Sequence, residues 1–250
     1  MSGAVATLPL LIAHDDAVTG ARGLIVLVSV ADAARPDDVD EAVAVLPEAE
    51  RALAAPWHPR RQATFAAGRT ALRRALAEVG VDVDVTAPIA RNDRGAPVVS
   101  GLPRGVAVSV THKDTIAGAL VMAGVGDAHT GVDVEVDELR HGRPRARADV
   151  DALIGQTLLA EEVACLPNDD DARRLAFFAR FSAKEALYKA IDPFVRRYVG
   201  FLEVRADVDG DDVRFTVPEP SLAARGRVVR VSTIDGVGDV VLTTAIATKR

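Results

Sequence analysis

The sequence predicts an α+β fold in two halves, each a long helix bracketed by short strands. Three observations carry this expectation. A helical pattern opens at Trp57-His58-Pro59, runs to Val79 and stops at Gly80, the residue type that most often follows a helix C-terminus. A second helical pattern, over residues 180–190, places Phe178, Phe181, Glu185 and Tyr188 at i, i+3, i+7 and i+10, on one stripe. Around both lie short apolar or alternating runs of strand period. Phe65-x-x-x-Arg69 and Phe181-x-x-x-Glu185 also echo each other, one charged residue on each aromatic-led helix. The halves are drawn at residues 1–129 and 130–250.

Taken in order, residues 1–20 carry only a weak strand signal, and 24–30 is a continuous apolar run that reads as a buried strand. Arg35-Pro36-Asp37-Asp38 forms a turn and cap for a short helix over 39–46, which Pro47 ends or restarts. On the long helix Phe65, Leu72, Leu76 and Val79 supply the apolar face; Arg69 lies on it, and Arg61 stands eight residues earlier, about 12 Å along the axis. Taken alone, these are two solvated arginines on an Ala/Arg-rich helix. Residues 92–97 are a turn by composition, and 106–113 and 116–122 are strands, the first running into a loop. Residues 139–147 form a basic loop containing Pro and Gly, after which Asp151 is expected to cap a helix running through Glu162. Residues 168–171 cap the helix that carries Glu185, and 201–208, 213–217, 227–234 and 240–248 alternate as strands of a scaffold sheet.

The chemistry concentrates in two places. Gly131-Val132-Asp133-Val134-Glu135-Val136-Asp137 alternates strictly, the pattern of a half-buried strand with valines on one face and three carboxylates on the other. Like charges lined up on one face repel, so they favour a bound cation or a solvated edge. All-oxygen ligands suit a hard ion, Mg²⁺ or Mn²⁺, better than zinc. Glu185 interrupts an apolar stripe, where loss of hydration costs a carboxylate several kcal/mol unless a cation or donors compensate. Lys189 shares its face four residues on. An isolated Glu–Lys pair at this spacing is an ordinary surface pair, worth a few tenths of a kcal/mol; the aromatic company and the second acidic cluster argue for more.

Composition excludes several classes. A chain of 250 residues, 49% hydrophobic, has ample material for a core. A net charge of −6 speaks against a general nucleic-acid binder. The single cysteine, Cys165, rules out an internal disulfide framework or a Cys-based zinc site and is expected to be a buried structural thiol. No stretch approaches the ~20 apolar residues needed to span a bilayer, so a cytoplasmic location without membrane contact is expected.

Gly-Val-Asp-Val-Glu at 131–135, followed some fifty residues on by Phe-Ser-Ala-Lys-Glu-Ala-Leu-Tyr-Lys-Ala at 181–190, resembles the signature pair of the 4′-phosphopantetheinyl transferases. The match is to the larger type, which activates siderophore, nonribosomal peptide and polyketide synthetases, and it extends over about residues 56–205. The resemblance implies a pseudo-twofold pair of halves, each a helix on a small antiparallel sheet, with the active site at their seam. It implies coenzyme A contacts from Arg61 and Arg69 through Phe65-Ala-Ala-Gly-Arg69, from Arg94, Gly95 and Pro97 through a basic-Gly-x-Pro loop, and from Thr111 and His112 at a strand end. The role of Lys113 stays open. Asp133, Glu135 and Glu185 become the metal ligands, and Lys184 and Lys189 hold phosphate oxygens. Glu162, or Glu161 if the alignment slips by one, takes the place of a proposed general base.

The implied activity is Mg²⁺-dependent transfer of 4′-phosphopantetheine from coenzyme A to a serine of an apo acyl or peptidyl carrier protein, releasing adenosine 3′,5′-bisphosphate, by a monomeric enzyme. Glu185, Glu162 or a metal-bound water could take the serine proton. A metal-dependent nuclease-like phosphodiesterase uses similar carboxylate–lysine sets, and an inactive carrier-binding homologue would keep the fold. Arg140, Arg143, Arg145 and Arg147 are the densest basic stretch and the expected docking surface for an acidic carrier.

Overall fold

In the computed structural model of the chain, the described residues are 9–16, 20–113, 115–136, 138–139, 143–144, 147–234 and 238–250. They form an α+β fold that divides into two compact units, one spanning Thr7–Asp127 and the other containing Ala128–Arg250.

The first unit contains β1 (Leu10–Ala13), β2 (Arg22–Ser29), α1 (Pro36–Ala44), α2 (Glu48–Ala54), α3 (Pro59–Val79), β3 (Ala90–Arg91), β4 (Pro97–Val98), β5 (Val106–Lys113) and β6 (Ile116–Ala123). Its main sheet is fully antiparallel in the order β1-β2-β6-β5, and β3 and β4 make a separate two-residue hairpin. The helix expected to open at Trp57-His58-Pro59 does so, its first helical residue being Pro59. His58 caps it, its Nδ1 accepting from the Arg60 N–H at 3.3 Å, Pro59 opens it, and Gly80 ends it at φ 72°. Ala71, Leu72, Ala75 and Leu76 of α3 are buried against Val26 and Val28 of β2 and Ala117, Ala119 and Val121 of β6. Small alanines on the helix face let it lie close to the sheet.

The second unit contains β7 (His129–Val136), β8 (Glu138–Leu139), β9 (Arg143–Pro144), α4 (Arg147–Thr157), α5 (Ala160–Ala164), α6 (Asp170–Val195), a 3₁₀ turn (Phe201–Glu203), β10 (Arg205–Asp209), β11 (Asp212–Thr216), β12 (Leu222–Ile234) and β13 (Gly238–Lys249). Its five-stranded antiparallel sheet runs β10-β11-β12-β13-β7. The helix predicted to start at Asp151 and run through Glu162 is instead two helices. Asp151 lies inside α4, and the chain restarts at Leu159, whose N–H is taken by the Glu162 carboxylate at 2.7 Å.

Asp169 caps α6 by accepting from the Ala172 N–H at 2.9 Å, as expected of the acidic run there. α6 packs on β7 and β13 and is buried around most of its circumference. Phe177 and Phe178 are fully enclosed, each worth about 1.5–3 kcal/mol of burial. A buried hydroxyl pair, Ser182 with Thr243 at 2.7 Å, ties α6 to β13. Gly131 sets the spacing of α6 over β7, since a Cβ there would collide with the carbonyl of Ala186.

Candidate active site

The carboxylate strand differs from the half-buried expectation: from Thr130 to Val136 every residue of β7 is buried, on both faces. The face that carries Asp133 and Glu135 is the one turned to α6, because Gly131, two residues earlier, sits against Ala186. A solvated edge is therefore not what separates these charges. Lys189 of α6 reaches across, its Nζ 2.8 Å from Asp133 Oδ1 and donating to the Val132 carbonyl at 2.8 Å. Oδ2 of Asp133 and Oε2 of Glu135 are buried and accept no hydrogen bond from the described residues. Two such oxygens on one strand face fit a hard divalent ion. Among the described residues, no three His, Cys, Asp or Glu side chains converge closely enough to hold an ion unaided. Glu185 is thus not gathered into a three-ligand cluster with Asp133 and Glu135.

Glu185 is half-buried and lies on the wall of a cavity of about 110 Å³ formed with Leu187, Tyr188, Ile191, Tyr198 and Val204. Tyr198 stands at this cavity with 71% of its surface exposed, its ring 6.1 Å from that of Tyr188. Sequence reasoning missed Tyr198; its one signal is a lone aromatic between two arginines and a Val-Gly pair just past the helix.

Lys184 and Glu162 are placed otherwise than the resemblance implies. Their side chains, 0% and 1% exposed, form an ion pair at 2.6 Å. The Lys184 ammonium also donates to the carbonyls of Thr157 at 2.8 Å and Phe201 at 3.0 Å, which occupies all three of its N–H groups. Glu162 Oε1 accepts the Ala206 N–H at 2.7 Å, and Oε2 accepts from Leu159 and Lys184. The pair is a buried knot joining α4, α5, α6, the 3₁₀ turn and β10, and neither side chain keeps a group for phosphate or serine. Burial lowers the Lys184 pKa from its ordinary value, opposed by the hydrogen bond and charge of Glu162. Cys165 is exposed, not buried, as the residue that caps the C-terminus of α5. The side chains of the basic stretch 140–147, and Asp137, lie outside the described residues.

The first unit holds a second cavity, of about 190 Å³, that collects Arg61, Arg69, Gly95, Thr111 and His112 from α3, the β3–β4 turn and β5. Arg94 is an exposed residue of that turn and is not among its lining; Arg91 is, as is Trp57. Pro97 also stays off the lining and pairs with Arg91 across the hairpin. Arg61 lies 4.4 Å over the Trp57 ring and Arg69 4.8 Å over Phe65.

Arg69 is 4% exposed and braces the cavity floor, Nη2 donating to the carbonyls of Ile89 at 3.2 Å and Ala90 at 3.4 Å. Glu50 of α2 supports it from beneath. Its Oε1 is 3.6 Å from Arg69 Nε, and accepts from Arg73 at 2.8 Å and the Ile89 N–H at 2.7 Å. Burial pulls the Arg69 pKa down to about 10; Glu50 opposes this, and Arg73 and Arg91 add to it. One carboxylate thus serves a group of arginines, leaving the cavity cationic.

No helix among the described residues is long and apolar enough to cross a membrane. Residues 49–122 match the family model of the 4′-phosphopantetheinyl transferase N-terminal domain, and residues 130–244 that of the 4′-phosphopantetheinyl transferase superfamily. The chain is 32% identical over 164 residues to the 4′-phosphopantetheinyl transferase Npt of Nocardia iowensis, covering 66% of this chain and 67% of that protein. It is 30% identical over 228 residues to the 4′-phosphopantetheinyl transferase Svp of Streptomyces mobaraensis, covering 88% and 85%. It is 31% identical over 192 residues to the 4′-phosphopantetheinyl transferase PptT of Mycobacterium tuberculosis, covering 76% and 73%. With both units matched and the acidic strand and the lysine-bearing helix packed together, the chain belongs to the 4′-phosphopantetheinyl transferase superfamily, enzymes that transfer the phosphopantetheine group to carrier proteins.

Proposed function

We propose that this enzyme takes 4′-phosphopantetheine from coenzyme A and places it on a serine hydroxyl of an apo acyl or peptidyl carrier protein, with Mg²⁺, or Mn²⁺ in its place, as cofactor. The observation that carries this reading is the pair of buried carboxylates, Asp133 and Glu135, on the face of β7 that Lys189 reaches. Asp133 and Glu135 would hold the divalent ion, with phosphate oxygens of the substrate completing its shell, as suits an ion that takes few protein ligands. When bound it would neutralise charge on the pyrophosphate as the P–O bond breaks.

The serine oxygen bonds to the phosphorus that carries the pantetheine. The bond from that phosphorus to the bridging oxygen breaks, and the oxygen leaves on adenosine 3′,5′-bisphosphate. Lys189 is 28% exposed and presents its ammonium to a phosphate oxygen while holding Asp133 in place. Glu185, on its cavity wall, would accept the serine proton, since both oxygens of Glu162 are already engaged. The cationic cavity of the first unit suits the nucleotide phosphates.

Incubation with coenzyme A, Mg²⁺ and an apo carrier protein tests the reading. The carrier should gain one phosphopantetheine, with adenosine 3′,5′-bisphosphate released in equal amount. Nucleotide cleavage without carrier modification would indicate a phosphodiesterase, and no reaction with any carrier an inactive homologue.

A further inference from the structure

A further cavity, of about 230 Å³, lies within the second unit, walled by α5, α6 and the β10–β11 hairpin, and both Cys165 and Arg180 line it. Arg180 of α6 is 8% exposed, yet its one hydrogen bond stays within its own helix, Nη1 donating to the Ala176 carbonyl at 3.0 Å. Among the described residues no carboxylate forms an ion pair with it. A guanidinium has five N–H groups, so most of this buried fork is left over at the cavity wall. Cys165 is exposed, and as the single cysteine of the chain it has no partner for an internal disulfide. Its sulfur is open to reagents from outside.

The charges around this cavity point to what it takes. Glu162 is spent on Lys184 and two backbone donors, and Asp207 accepts from Arg205 at 2.8 Å. Asp209 and Asp212 lie opposite each other at the turn end of the hairpin, both exposed, and Arg214 is exposed two residues on. Arg180 is thus the buried charge of the cavity that lacks a counter-ion. Burial lowers its pKa; the charge of Cys165 is the largest influence opposing this, ahead of Glu162 and Asp207, so the sulfur stands within electrostatic reach of the guanidinium. A carboxylate entering the cavity can accept two parallel N–H bonds from that fork and offset the cost of its burial. The rest of such a ligand is then held near the thiol.

We propose that Cys165 is a covalent modification site for small carboxylate-bearing disulfides, which Arg180 seats in this cavity. The thiol gives its proton to solvent and its sulfur bonds to one sulfur of the disulfide. The original S–S bond breaks, and the other half leaves as a thiolate that takes a proton from solvent. The product is a mixed disulfide that an added dithiol reverses. Intact mass of the full chain, followed over time with dithiodiglycolate and with the neutral bis(2-hydroxyethyl) disulfide, tests the proposal. Each rate is divided by that of N-acetylcysteine amide with the same reagent, which removes the intrinsic reactivity of the two disulfides. Wild type should then favour dithiodiglycolate about ten-fold, as expected of one charge-assisted contact. Arg180→Gln, confirmed as folded by circular dichroism, should bring the ratio to within about two-fold of unity, Arg214→Gln should keep most of it, and Cys165→Ser should gain no mass. A wild-type ratio within about two-fold of unity would overturn the proposal without recourse to any variant, leaving an ordinary exposed thiol. A preference abolished by Arg214→Gln and kept by Arg180→Gln would overturn it as well.

Discussion

Replacing Lys184 with Met separates the two accounts of this side chain, structural knot or phosphate ligand. The substitution keeps the stem's volume and removes the ammonium. Glu162 would then remain 1% exposed with its charge uncompensated. Breaking a buried pair in this way costs about 3–5 kcal/mol. Two backbone donors, Leu159 and Ala206, still serve the carboxylate, so the loss belongs near the lower end, about 3 kcal/mol. The carbonyls of Thr157 and Phe201 also lose their donor, which keeps the value from falling below that. With a urea dependence of about 1–3 kcal/mol per molar, the unfolding midpoint followed by far-ultraviolet circular dichroism should drop by roughly 1–3 M. Glu162→Gln combined with Lys184→Met removes both charges and should cost less than Lys184→Met alone, because no uncompensated charge is left buried. A Lys184→Met protein as stable as wild type to within about 0.5 kcal/mol but unable to transfer would refute the knot and return Lys184 to the substrate.

Three further outcomes follow from the same geometry. Because burial holds the Lys184 pKa below 10.5, the unfolded chain binds more protons between the folded and unfolded values. This group's contribution then makes wild-type stability rise with pH from the lowered folded value up to 10.5, and the gap to Lys184→Met should widen as pH rises through that window; a narrowing gap would reverse the sign of the shift. Gly131→Ala puts a Cβ into the Ala186 carbonyl and should cost at least about 2 kcal/mol by thermal unfolding while displacing Asp133; an unchanged melting temperature would contradict the close approach of α6 to β7. His112→Ala should raise KM for coenzyme A several-fold and leave that for 3′-dephospho-coenzyme A nearly unchanged, whereas Arg69→Ala should also lower the unfolding midpoint, since Arg69 braces Ile89 and Ala90; a His112→Ala effect equal for both substrates would make His112 scaffold.

Much of this fold was legible because its signals are local. The period and the Pro59 and Gly80 caps announced α3, the acidic run beginning at Asp169 announced the start of α6, and turn composition marked the β3–β4 hairpin. What the sequence concealed is long-range. Lys184 and Glu162 are 22 residues apart, and nothing in either neighbourhood says that they meet. The carboxylate face of β7 reads as half-exposed by alternation, and only Gly131, a glycine inside a strand, hinted that a helix backbone lies against that face. Arg94 is adjacent to Gly95 in sequence, but it is Arg91, paired with Pro97 across the hairpin, that lines the cavity, a placement that chain spacing does not show.

The most direct measurement is the rate at which an apo carrier gains phosphopantetheine mass with Asp133→Ala beside wild type, at saturating coenzyme A and Mg²⁺. Asp133 is the point at which β7, Lys189 and the proposed ion meet. The account predicts that the variant unfolds at a temperature close to wild type and transfers at less than about a hundredth of its rate, a loss of more than about 2.7 kcal/mol of transition-state stabilisation. An Asp133→Ala enzyme that keeps more than about a tenth of the wild-type rate, a loss under about 1.4 kcal/mol, would contradict it.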